Sequence, residues 1–137
     1  MKKITIPAVV FLLLTIFTGF TFSTTPAFSK TKKFDKALAE QNLLIGICSG
    51  NTGLRASSAF VAGEIKAEGL VIPLMKLFRE EKNDKVRITA ALALLKIGDG
   101  RGLKLIEYAS RFDDCCSVKE LCRKFHAYYL KHKNDEN

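Results

Sequence analysis

The sequence predicts an all-α chain: a short α-solenoid of about three stacked helix pairs, behind an N-terminal export segment. Three observations predict it. From Phe34 onward apolar residues recur at spacings of three and four, the period of a helix buried on one face. Glycines gather between these segments (Gly46, Gly50 and Gly53; Gly69; Gly98, Gly100 and Gly102), where helices should stop, with Gly63 the exception. Finally, residues 53–78 align with 85–110 at an offset of 32, and such self-similarity marks a repeat.

The first element is a targeting segment. Met1-Lys2-Lys3 is positively charged, Ala8 to Phe17 is apolar apart from Thr15, and "TGFTFSTTPAFS" follows with Ala27 and Ser29 at −3 and −1 to a cut before Lys30. That order predicts a signal peptide over 1–29 and an exported chain, periplasmic or secreted. The competing reading keeps Ile4 to Phe22 as an anchor across roughly 30 Å of bilayer. Pro7, Gly19, the short apolar run and the A-x-S site favour cleavage, which leaves no stable membrane anchor. The domain is then 30–137, with 20 Lys and Arg against 14 Asp and Glu, a net charge of +6. Scattered lysines on an exported chain argue for solubility and against a nucleic-acid partner.

Five or six helices follow, at about 35–48, 54–67, 70–82, 85–98, 103–112 and 117–132, grouped as repeats near 38–69, 70–102 and 103–132. The charged end from Lys131 is expected to fray, with 133–137 as a tail. In the fourth helix Val86, Ala90, Ala93, Leu94 and Ile97 share one face, Asp84 stands where an N-cap belongs and Gly98 closes it. In the last, Ser117 and Glu120 have capping-box spacing, and Val118, Leu121, Cys122, Phe125 and Tyr129 lie on one side.

The alignment sets Leu54-Arg55 opposite Val86-Arg87, and Ser58, Val61 and Ile65 opposite Ala90, Ala93 and Ile97. One residue gained in the connector then sets Leu70 opposite Leu103 and Ile72 opposite Leu105. A weaker third copy starts at Val118-Lys119. Small residues recur at matching places (Ala56, Ser57, Ser58 and Ala59; Ala90, Ala91 and Ala93), as expected where helices approach to about 8 Å.

"NDKVRITAALALLKIGD" resembles the second helix of short bacterial HEAT-like repeats, the type also found in phycobilisome lyases, and "GLRASSAFVAGEIKAEGLVIPLMKL" is similar down to Pro73. The resemblance spans roughly Leu38 to Leu130. It implies a right-handed α-α superhelix in which the arginine of each Val-Arg pair bonds polar groups in a neighbouring repeat's loop. Arg55 and Arg87 would do so here, with Asn51, Asn83 or Asp84 as partners. It also implies that second helices line the concave side, making Arg55, Glu64, Lys85 and Lys96 the contact surface for a protein partner. Asparagine in place of aspartate at 51 and 83, and lysine in place of arginine at 119, imply a weaker ladder and a third unit that serves as a cap.

The four cysteines are Cys48, Cys115, Cys116 and Cys122. Cys48 is expected to be a free buried thiol. Cys115 or Cys116 could bond Cys122, and a vicinal Cys115–Cys116 bond would be strained. With His126 four residues after Cys122, the same cluster offers up to three soft ligands, an incomplete zinc set with no finger or ribbon spacing. His132 has no catalytic partner in the pattern. "GDGRG" (98–102) follows a helix and matches the connector "KAEG", so it reads as a connector and not as a phosphate loop. Neither Glu80-Glu81 nor Asp113-Asp114 has neighbours suited to acid–base work.

These features point to a non-enzymatic scaffold or adaptor with no cofactor. The alternatives are a metal- or redox-responsive envelope protein using Cys115, Cys116, Cys122 and His126, and weak attachment to anionic envelope polymers through Lys119, Arg123, Lys124, Lys131 and Lys133.

Overall fold

The computed structural model describes residues 35–135, so the expected export segment 1–29 lies outside the described residues. Among them are six α-helices and no strand: α1 (Lys36–Ile47), α2 (Thr52–Glu64), α3 (Val71–Glu80) preceded by a 3-10 turn (Glu68–Leu70), α4 (Asp84–Ile97), α5 (Gly100–Phe112) and α6 (Cys116–Asp135). The fold is all-α.

Helices α1 and α2, α3 and α4, and α5 and α6 pack as pairs, and each helix also touches the next but one, giving an odd row and an even row. The even row is the tighter, and its sequence explains why. A Cβ on Gly63 would lie 2.8 Å from the Ala93 Cα, so α2 and α4 meet almost backbone to backbone. A Cβ on Gly102 would lie 3.0 Å from the Leu94 side chain, and one on Gly46 would collide with the Ser58 side chain. All three sit inside helices, as expected for Gly63; for Gly46 and Gly102, and for Gly53 likewise, punctuation was expected. Of the predicted face of α4, Val86, Ala90, Ala93 and Leu94 are buried and Ile97 is half-buried. Leu74, Ile106, Val71, Val118 and Cys122 complete the fully buried core.

Four helices start on a side-chain cap. Asp35 accepts from the Leu38 amide, Asn51 from Leu54, Asn83 from Lys85 and Asp99 from Arg101. Asn83 therefore takes the capping role expected of Asp84, which sits inside the first turn of α4. The Ser117–Glu120 box does not form either. Helix α6 begins one residue earlier, the Cys115 carbonyl accepts from the Lys119 amide, and Glu120 pairs with Arg123 and Lys124. The end expected to fray from Lys131 stays helical to Asp135, supported by stacking of Tyr128 on His132 and of Lys133 on Tyr129.

The offset of 32 also runs through the odd row. Buried Leu70, Leu74, Leu77 and Phe78 recur as buried Gly102, Ile106, Ala109 and Ser110, so no residue is gained in the connector. Lys66 (φ 49°) and Gly98 (φ 80°), also 32 apart, hold the same left-handed place after their helices. The apparent gain arose from matching leucines by type. Exposed Ile72 corresponds to exposed Lys104, and not to buried Leu105.

Candidate functional site

Three connectors carry one hydrogen-bond device at intervals of 32 residues. Ser49 Oγ accepts the Asn51 amide (3.1 Å), Glu81 Oε1 the Asn83 amide (2.9 Å) and Asp113 Oδ1 the Cys115 amide (3.0 Å). Each bond turns the chain into the next even helix. Onto the second and third connectors reaches an arginine from the even helix before. Arg55 Nε donates to Glu81 Oε2 (2.6 Å) and its Nη1 to the Ser49 carbonyl (3.0 Å). The Arg87 guanidinium donates to Asp113 and to the Phe78 carbonyl, while its flat face covers the Phe78 ring at 5.1 Å. Both carboxylates are nearly buried, at 6% side-chain exposure. The bond from Arg55, together with the Asn83 amide, holds the Glu81 carboxyl below its ordinary value.

The two arginines thus reach neighbouring connectors; of the expected partners Arg87 meets Asp84, while the closest acceptors are other residues. Asn51 and Asn83 are occupied as caps. Asp84 lies 3.8 Å from Arg87 within the same helical turn, and its second oxygen accepts from Cys115 Sγ (3.0 Å). The closest acceptors are Glu81 and Asp113, members of the two acidic pairs for which the sequence offered no neighbours suited to acid–base work. The spacing of 32 from Ser49 to Glu81, and of 32 again to Asp113, was the available signal.

Beside each arginine lies an open groove. The first, about 960 Å³, runs between α1 and α3 and is walled by Leu44, Ile47, Ile72, Pro73 and Leu77, with Arg55 at its base. The second, about 670 Å³, runs between α3 and α5 in the same register, with Arg87 at its base. Its walls carry Met75, Leu105 and the exposed pair Tyr108 and Phe112, whose ring centroids are 5.0 Å apart. Among the described residues Arg79 and Lys104 line this second groove without an ion-pair partner.

The expected contact surface on the even helices is largely consumed internally. Arg55 is half-buried in its connector, and Lys96 pairs with Glu64 and covers the Phe60 ring at 5.2 Å. Lys85 remains exposed.

The cysteines are free thiols among the described residues, and the Cys115 or Cys116 bond to Cys122 is not formed. Cys116 is exposed while Cys122 is buried, so the two face different ways on one helix. The expected environment of Cys48 is corrected: it is exposed at the end of α1, and Cys122 is the buried thiol. Burial, and then the charge of Asp113, pushes the Cys122 thiol up to about 11, against a smaller opposing effect of Arg87. His126 is half-buried one turn beyond Cys122. Among the described residues no three His, Cys, Asp or Glu side chains are placed to hold a metal ion. No described helix is long and apolar enough to cross a membrane.

No protein-family model matches the chain, no curated protein matches it, and no solved structure matches it.

Proposed function

We propose that the chain is an exported, non-catalytic adaptor, a short HEAT-like α-solenoid whose odd-row grooves hold an extended segment of a partner protein. The observation that carries this reading is the pair of grooves in one register, each lined by an arginine, the first with mainly apolar walls and the second with apolar and charged walls together. Equivalent grooves spaced along a row of helices suit a partner that lies across several units. Exposed Ile72, Tyr108 and Phe112 offer apolar anchors, and Arg79 and Lys104 favour acidic flanks on the partner. The solenoid assignment rests on the recurrence of the arginine–carboxylate bridge at 32 residues and on packing of each helix against the next but one. The targeting pattern of residues 1–29 supports export, which the N-terminal mass of the protein recovered from the envelope or medium tests.

Site-specific photo-crosslinking tests the adaptor reading. A benzophenone amino acid at Ile72 or Tyr108 should capture the same partner in living cells, and Phe112→Ala should weaken that capture. Capture from Lys85 alone, or from none of these positions, would overturn the groove assignment.

A further inference from the structure

The two ends of the helix stack are built differently. Consider positions that recur at 32 residues. Leu70 and Gly102, Leu77 and Ala109, Val86 and Val118 are buried, and so is Ala93, which meets Gly63 of the preceding pair. Their counterparts in the first pair are Leu38, Ile45, Leu54 and Val61, all apolar and exposed at 46%, 71%, 48% and 42%. The first pair therefore presents to solvent the face that the later pairs bury against a predecessor. Terminal units of stacked repeats ordinarily carry a polar outer face. The other end has one: where Ala59 and Ala91, and Ala62 and Leu94, are buried, the third pair places exposed Arg123 and half-buried His126.

Charge separates the ends in the same sense. Between Lys36 and Glu64 the charged side chains are Lys36, Glu40, Arg55 and Glu64, which balance, and Arg55 is held in its connector. Between residues 100 and 133 there are eight Lys or Arg against four Asp or Glu. An exposed apolar patch of this kind marks an interaction surface.

We infer that this face docks a second copy of the chain, first pair against first pair, in a two-fold dimer. An isologous contact needs a patch compatible with itself, and an uncharged row of Leu38, Ile45, Leu54 and Val61 is one. Head-to-head association sets the two basic ends at opposite extremes. Head-to-tail association would press Arg123 and its neighbours onto the apolar face and would continue into a fibre. After a cut before Lys30, only Lys30 to Phe34 would precede the described helices, too few residues to cover two helices. The inference does not depend on the grooves, which lie along the odd row.

Sedimentation velocity on the chain as recovered from an exporting host, from low to high micromolar, tests it, with intact mass defining the N-terminus. A dimer is expected, and the double variant Ile45→Glu with Val61→Glu should raise its Kd roughly a hundredfold or more while leaving the helical circular dichroism unchanged. Leu130→Glu, at an exposed site on α6, should leave the dimer intact. A second pair, Leu38→Lys with Leu54→Lys, serves if the first does not fold. A monomer throughout the range overturns the proposal. So does a dimer lost on Leu130→Glu and kept by the face variants, and so does dimerisation only of the processed chain when the chain retaining 1–29 is monomeric, since residues 1–29 would then be the occupant.

Discussion

Arg55 and Arg87 do the same work 32 residues apart, and the chemistry of their partners decides what their loss costs. Each neutralises a carboxylate with 6% of its side chain exposed and also bonds a main-chain carbonyl, so Arg→Ala strands both. Removing one member of a buried pair costs about 3–5 kcal/mol, and partial exposure of the arginines lowers the expectation to ~2–3 kcal/mol for Arg87→Ala in urea unfolding. Arg87→Lys should recover little, because a single ammonium cannot bond Asp113 and the Phe78 carbonyl while covering the ring. Glu81 adds a pH dependence. Its carboxyl titrates below its ordinary 4.5, so the stability it confers is present above that value and is lost as pH falls through the lower folded pKa. Glu81→Gln should flatten the acid limb of a stability-versus-pH curve. Cys122 acts at the other extreme. Between 9.0, where the unfolded thiol ionises, and about 11, where the folded one does, stability should fall as pH rises. Cys122→Ala should remove that alkaline slope, and in the native protein a thiol reagent should reach Cys48 and Cys116 readily but Cys122 only on unfolding.

At the scale of the helix, the periodicity of apolar residues located all six elements, and four of the five residues predicted on the buried face of α4 are buried there, with Ile97 half-buried and Ala91 added. The ends were less legible. Asp84 and Ser117 are good capping residues, but Asn83 and the Cys115 carbonyl stand where the turn geometry needs them. That geometry is set upstream, by the side chain at 49, 81 or 113 accepting an amide two residues on. Serine, glutamate and aspartate all perform this task, so the position escapes a search for identical residues. The same tolerance hid Glu81 and Asp113 as the arginine acceptors. Glycine was misread in the opposite direction at Gly46 and Gly102, which like Gly63 serve close approach, and among the described glycines only Gly98 takes the left-handed cap. Two substitutions follow from this. Gly63→Ala places a methyl group against the Ala93 backbone and should destabilise by ~1–3 kcal/mol, because neither helix can move without the other. Lys66→Gly should stabilise by about 1 kcal/mol, since Lys66 holds at φ 49° the conformation that Gly98 adopts at its counterpart without steric cost. Urea midpoints at constant slope would measure both.

At the scale of the molecule, the helices differ in how many neighbours hold them, and that difference predicts how the fold opens. Among the described residues helix α4 packs on α2, α3, α5 and α6, while α1 packs chiefly on α2, with smaller contacts to α3 and the short turn before it. Helix α4 also supplies Val86, Ala90, Ala91, Ala93 and Leu94 to the core, whereas α1 contributes Gly46 and Ile47. In a linear stack, stability is close to a sum of unit and neighbour-interface contributions, so the end with fewer contacts opens first. Native-state hydrogen exchange should therefore show the amides of α4 exchanging only through global unfolding, and those of α1 through a cheaper local opening. Docking of a second copy on the first pair would close that gap: protection in α1 should rise with protein concentration while that of α4 follows the global stability. Arg87→Ala should loosen α6 relative to α4, because Arg87 of α4 bridges to Asp113 in the connector that leads into α6, and leave α1 unchanged. Uniform exchange across α1, α4 and α6 would show instead that the three pairs unfold as one cooperative block, with no stepwise order along the stack.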